Sequence, residues 1–232
     1  AYPWASGRLQ LLPNGFDEGE HALGREDPPP TTRSAPRDTL ELLYTGRFTG
    51  VADRYPASLL SALRTLNDEG RTIRLRILGD VSPRVAALVA RSGTEDVVRL
   101  EAPVSHAAAV DSLRECDALV LYQEPARGEV SAVAGKTYEY LRSGKPILAV
   151  TPPGDNAELV TRHAAYSVLC SPRCAESVTA GLRRLHTDWR AGELPRHTPP
   201  APEFLERFDR RILTKRLVEV FDEVVAAGTR SP

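Results

Sequence analysis

From Leu40 to Leu194 the chain repeats one pattern, a short apolar run, a turn, then a stretch whose apolar residues recur at helical spacing. LELLYT at Leu40–Thr45 reads as a strand ending in Gly46. Pro56 suits a first helical position, and Leu59, Leu60, Leu63 and Leu66 fall on one helical face. Asp68-Glu69-Gly70 stops that helix, and Ile73–Leu78 alternates as the next strand before Gly79-Asp80. The rhythm continues with a helix around Val85, Leu88 and Val89 stopped at Gly93, a strand at Val97–Leu100, a helix at His106–Cys116 and a strand at Ala118–Tyr122. A helix at Lys136–Arg142 stopped by Gly144, a strand at Pro146–Val150, a helix at Ala157–His163, a strand at Tyr166–Cys170 and a helix at Ala175–Trp189 complete it. Apolar strands joined by helix-length crossovers must pair in parallel, with helices covering both faces of the sheet.

The expected fold is therefore α/β, a doubly wound, Rossmann-like parallel sheet of about six strands. Ligands in such sheets bind beyond the carboxyl ends of the strands, so the loops after Thr45, Leu78, Leu100, Tyr122 and Val150 are the ones to inspect. Proline marks the flanks. Pro28, Pro29, Pro30 and Pro36 cluster before the repeat, and Pro195, Pro199, Pro200 and Pro202 after it. The expected organisation is an irregular linker over 1–38, the Rossmann-like domain over 39–194, and a Pro-rich loop with a last helix over 195–232. In that helix, about Phe204–Val225, the residues Phe208, Ile212, Leu217, Phe221 and Val224 lie near one face. At 232 residues a core of this kind needs no disulfide or metal staple.

Charge narrows the function. Thirty Lys and Arg against 31 Asp and Glu leave a net charge of −1, which argues against a nucleic-acid binder. No apolar run approaches the ~20 residues of a membrane span, and none at the amino end resembles a signal peptide. Cys116, Cys170 and Cys174 are odd in number and form no CxxC pair, which fits a reducing, cytoplasmic setting.

Two loops stand out chemically. Gly46-Arg47-Phe48-Thr49-Gly50 follows the first strand and is not the GxGxxG dinucleotide fingerprint. Its glycine permits close backbone approach to a ligand, and Arg47 and Arg54 flank the turn either as an anion clamp or as solvated loop residues. Ala134-Gly135-Lys136-Thr137 opens a helix whose free N–H groups and positive dipole end suit phosphate. A Walker A loop fails on spacing, because Val130 stands where its first glycine would have to be. Glu139, three residues after Lys136, shares its face and either stabilises the helix start or accepts hydrogen bonds from a vicinal diol. HExxH, GxSxG and DxD motifs are absent, and the five histidines are scattered, with His106 read as a cap or solvated residue at a helix start. Cys170 and Cys174 read as inert, and Trp4 and Trp189 as packing residues.

In order along the chain these segments are familiar. LLPNGFD at Leu11–Asp17 resembles the PNGVD segment joining the two halves of GT-B glycosyltransferases, especially the retaining family 4 type. YTGRF, LRILGD, APVSHAAAVDSLRECDALV and KTYEYLRSGKPILAV resemble that family's successive blocks, so the likeness runs over nearly the whole chain. The resemblance implies the carboxyl-terminal, donor-binding half of a GT-B fold. It implies a nucleotide-sugar as donor substrate, no cofactor and no metal, and an acceptor of unknown identity held by an amino-terminal domain missing from this chain. The absence of Met fits such a fragment. By resemblance Glu139 is the second acid of the family's E-x7-E motif and binds the ribose hydroxyls, while the first acid is replaced by Ser131. Backbone around Ala134, Gly135, Lys136 and Thr137 meets the donor sugar and diphosphate, with Gly46 close by, and backbone around Val104 faces the base. Arg47 matches the family's arginine after the first strand; the usual lysine is lacking, and Arg54 stands in for it. The implied reaction is hexosyl transfer with retention, with the chain inactive alone and prone to self-association through its exposed interdomain face. The alternative from another class is a stand-alone or degenerate nucleotide-binding module that acts with a separate acceptor-binding subunit.

Overall fold

The computed structural model describes residues 9–22, 38–48, 56–123 and 132–228. Six strands form one parallel sheet: β1 (Leu40–Thr45), β2 (Ile73–Leu78), β3 (Val98–Glu101), β4 (Ala118–Tyr122), β5 (Ile147–Val150) and β6 (Ser167–Cys170). Their order is β3-β2-β1-β4-β5-β6. The chain thus lays strands outward in one direction from β1, then returns and lays them in the other. Between β1 and β4 the connections diverge to opposite sides, which opens a crevice at the carboxyl ends of those two strands.

Pleating divides the side chains between two cores. Leu40, Leu42 and Tyr44 of β1, with Val120 of β4 and Leu148 of β5, face α2 (Ala57–Asp68), α3 (Pro83–Arg91) and α7 (Ala175–Arg190). Leu43, Leu119, Leu121 and Ile147 face the other way, toward α4 (His106–Glu115), α5 (Gly135–Ser143) and α6 (Asp155–His163). Central strands such as β4 are buried at every position, as strands covered on both faces must be. The expected strands and helices of the repeat are therefore all present, and the doubly wound fold is as read from the sequence.

The flanks differ from expectation in two ways. Within the segment expected to be irregular, Glu18–Ala22 forms a short helix, α1, held by Arg142 of α5, whose guanidinium donates to both Glu18 carboxylate oxygens at 2.6 and 2.7 Å. The single last helix expected over Phe204–Val225 is instead two, α8 (Pro202–Phe208) and α9 (Arg210–Gly228). The break is at Asp209, where the backbone pairs with Phe16: the Phe16 N–H donates to the Phe208 carbonyl and the Arg210 N–H to the Phe16 carbonyl, both at 3.0 Å. The helical wheel that put Phe208 on one face with Phe221 and Val224 is thereby divided. Phe204 and Phe208 are buried beneath Phe16, while Ile212, Leu217, Phe221 and Val224 on α9 are exposed. No helix among the described residues is long and apolar enough to cross a membrane.

Phe16 is fully buried and stacks on Phe204 with ring centroids 5.5 Å apart, so it joins the entering linker to the departing carboxyl-terminal segment. Phe16→Ala is expected to cost about 3–5 kcal/mol of stability, read as a lower urea midpoint.

Candidate functional site

The crevice is built by bringing the end of β1 under the start of α5. Gly46 continues β1, and its N–H donates to the Leu78 carbonyl of β2 at 2.8 Å with φ at +95°, a region that favours glycine. The turn lies so close to β2 that a Cβ on Gly79 would fall 2.2 Å from the Gly46 carbonyl oxygen, which explains the glycine of LGD. Beyond it the Phe48 N–H donates to the Asp80 carbonyl at 2.8 Å, and Phe48 packs edge-on against Tyr44.

Two α5 side chains one helical turn apart grip the last residue of β1. Lys136 Nζ donates to the Thr45 carbonyl at 2.7 Å and sits 3.7 Å over the centre of the Tyr44 ring. The Tyr140 hydroxyl accepts from the Thr45 N–H at 2.9 Å and lies 3.3 Å from the Thr45 hydroxyl. Burial drives the Tyr44 and Tyr140 phenols well above their ordinary range, so both stay neutral, and it brings the Lys136 ammonium down to about 7.

The start of α5 has no side-chain cap. Ala134 takes an extended conformation at the N-cap; the Thr137 N–H donates to the Ala134 carbonyl at 2.9 Å, and among the described residues no side chain caps the two amides before it. Asn14 of the linker reaches the same place. Its Oδ1 accepts from the Gly15 N–H at 2.8 Å, and its Nδ2 lies 3.3 Å from where a Cβ on Gly135 would be. Thr137 is buried behind the helix start. Its hydroxyl donates to Asn156 Oδ1 at 2.7 Å, Asn156 Nδ2 donates to Gln123 Oε1 at 2.6 Å, and Gln123 Nε2 donates to the Ala132 carbonyl at 2.6 Å. This relay fixes α5 to the first turn of α6 and to the end of β4.

One turn into α5, Glu139 Oε1 lies 3.7 Å from Nε2 of His106, the first residue of α4. Ser105 caps α4, its Oγ accepting from the Ala108 N–H, so His106 is a neighbour of Glu139 and not the cap. Val104, two residues earlier on the loop leaving β3, is exposed. Arg47 is also exposed and places Nε 3.4 Å from Asp80 Oδ2. Arg54 and Ser131 lie outside the described residues.

Of the residues singled out from the sequence, the fold gathers Gly46, Ala134, Gly135, Lys136, Thr137 and Glu139 around one end of α5, with Arg47 on the adjoining turn and Val104 on the next loop over. Sequence reasoning missed Asn14, Tyr140, the Gln123–Asn156 relay and the approach of His106 to Glu139. The spacing of Lys136 and Tyr140, four apart, was a readable sign of a shared face. Chemically, the arrangement offers an uncapped helix start and cationic side chains beside a carboxylate one turn away, suited to an anionic group attached to a hydroxyl-bearing one. Among the described residues no cluster of three His, Cys, Asp or Glu side chains gathers to hold a metal. A cavity of about 750 Å³ adjoins the relay through Thr151, and Pro153, Gly154, Ala157 and Leu169 give it a largely apolar wall.

Comparison with known proteins points the same way. The profile of a family described as "Glycosyl transferases group 1" matches residues 39–188. No curated protein sequence matches. Among solved structures, a glycosyltransferase from Rickettsia africae superposes with a TM-score of 0.69 at 15% identity, covering 94% of this chain and 58% of the other. WaaG, a glycosyltransferase involved in lipopolysaccharide biosynthesis, gives 0.58 at 21% identity, covering 83% and 50%. Anabaena HepE, solved in complex with UDP and glucose, gives 0.59 at 15% identity, covering 80% and 49%. The chain thus spans about half the length of the solved proteins it matches.

Tyr140→Phe keeps the ring and leaves the buried Thr45 N–H without its acceptor. It is expected to cost about 1–3 kcal/mol, measured by chemical denaturation.

Proposed function

Because this chain belongs to the glycosyl transferases group 1 family, we propose that it is the nucleotide-sugar-binding half of a retaining glycosyltransferase. The observation that carries the proposal is the meeting of Gly46, the uncapped α5 start and Glu139 at the point where strand order reverses. Each part has a role that follows from its chemistry. The amides at Gly135 and Lys136 receive the diphosphate at the positive end of the helix dipole. Glu139, one turn on, accepts hydrogen bonds from the two ribose hydroxyls. Backbone at Val104, on the wall formed by the loop after β3, meets the base.

Glycosyl transfer places growing negative charge on the departing diphosphate. Arg47 and Arg54, together with the α5 dipole, stabilise that charge as the bond to the sugar breaks, and this requires no metal ion. Asp80 orients the Arg47 guanidinium through their 3.4 Å contact. Ser131 stands where the family carries the acid that holds the transferred sugar, which makes the sugar contacts here differ from those of the wider family. An amino-terminal domain supplies the acceptor site, in keeping with a chain that spans about half of its solved relatives. HepE, solved with UDP and glucose, is one such relative, and a nucleoside diphosphate is the ligand class this site accommodates.

The test is calorimetric titration with UDP, GDP, TDP and ADP. One of the four is expected to bind, and Glu139→Ala to weaken it about 10- to 100-fold, the loss of hydrogen bonds to a charged acceptor. Binding that survives Glu139→Ala unchanged overturns the site, and sugar transfer by the chain alone overturns the assignment of the acceptor site to another domain.

A further inference from the structure

Lys136 is a half-buried cation that has no anion of its own among the described residues. Among the described residues Nζ makes one hydrogen bond, to the neutral Thr45 carbonyl, and it rests on the face of the Tyr44 ring. Among the described residues no carboxylate lies within ion-pair distance of it. The described groups that face it are few. From β1 comes the Tyr44 phenol and from α5 the Tyr140 phenol, both held neutral by burial. Glu139, on its own helix, acts on it only from a distance, with His106 of α4 3.7 Å from that carboxylate. Arg47, on the turn above, points its Nε at Asp80. A carbonyl and a ring face only partly offset the cost of removing an ammonium from water, so a side chain placed this way gives up its proton more readily than a solvated lysine. The same placement puts Nζ beside Gly46 at the uncapped start of α5, 3.4 Å from where a Gly46 Cβ would be.

We propose that Lys136 is a proton-linked anchor for the diphosphate: the anion, on binding at the α5 start, draws a proton onto the Lys136 amine, and that proton leaves with the departing diphosphate. The step balances simply, since solvent supplies the proton on binding and recovers it on release. The proposal rests on the donor-site reading given above. With the empty-site amine near 7, the linkage operates just above neutral pH, where the free site is largely deprotonated and the filled site is not. Binding therefore weakens as pH rises through that range, because each bound diphosphate must recruit its proton from a scarcer supply.

The experiment takes the tightest binder among UDP, GDP, TDP and ADP and titrates it into the full chain at about pH 8, in buffers of different ionisation enthalpy. Uptake of close to one proton per diphosphate is expected, with a five- to tenfold loss of affinity from about pH 7.5 to 8.5, a window in which the nucleotide's own phosphate has already ionised. Lys136→Met is expected to bind weakly and with no proton uptake. Lys136→Arg, charged at every pH of the window, is expected to bind with no uptake and little pH dependence, and it decides the matter if the Met variant does not fold. Binding by the unaltered chain without proton uptake, or uptake that persists in either variant, overturns the proposal and leaves the donor-site reading standing. Failure of all four diphosphates to bind overturns both.

Discussion

A parallel sheet whose every connection is a helix cannot close its own middle. Each right-handed crossover carries the chain away from β1 on one side and away from β4 on the other, so the two central strands end side by side with no loop crossing between them. The described candidate residues on β1 and α5 take their positions from that gap. Gly46 lines it because it ends β1; Gln123 lines it because it ends β4; the start of α5 points into it because α5 follows β4. The relay from Thr137 through Asn156 to Gln123 and the grip of Lys136 and Tyr140 on Thr45 then turn a topological gap into a site of fixed dimensions.

The strands and helices were legible because both periods are strong and the breakers are well placed. β4 reads as strand because ALVLY is apolar throughout and short, and α5 ends where Gly144 takes a left-handed conformation, φ +65°, that few other residues adopt. The carboxyl-terminal helix was misread for a physical reason. Periodicity continues smoothly from Phe204 through Val224, but on either side of Asp209 the Phe208 carbonyl and the Arg210 N–H form hydrogen bonds with Phe16, nearly two hundred residues earlier. A helical wheel carries no information about so distant a partner. The small α1 was hidden likewise, since five residues hold a helix there through Glu18 and Arg142, a contact across the fold.

The candidate site was legible in its glycines and in Glu139, and opaque in its neighbours. Gly46 and Gly135 announce close backbone approach, and the structure supplies the approaching groups, Lys136 Nζ and Asn14 Nδ2. Tyr140 passes in the sequence as one more apolar residue of a helix face, and its hydroxyl becomes informative only once Thr45 is seen above it. His106 reads from the sequence as a cap or a solvated residue because it begins a helix, and it is exposed. Ser105 already does that work, which frees the imidazole to meet Glu139.

Helix α5 carries two cations into poorly solvated positions and treats them in opposite ways. Arg142, in its last turn, is met by both oxygens of Glu18, so its charge is balanced within the fold and serves to dock α1. Lys136, in its first turn, is met by a carbonyl and an aromatic face, which stabilise an ammonium without neutralising it. A carboxylate beside Lys136 would remove the desolvation cost and would also occupy the place proposed for the diphosphate. The residual cost at one end of the helix, set against the satisfied pair at the other, separates the position proposed to bind from the one that holds the fold on a single element of nine residues.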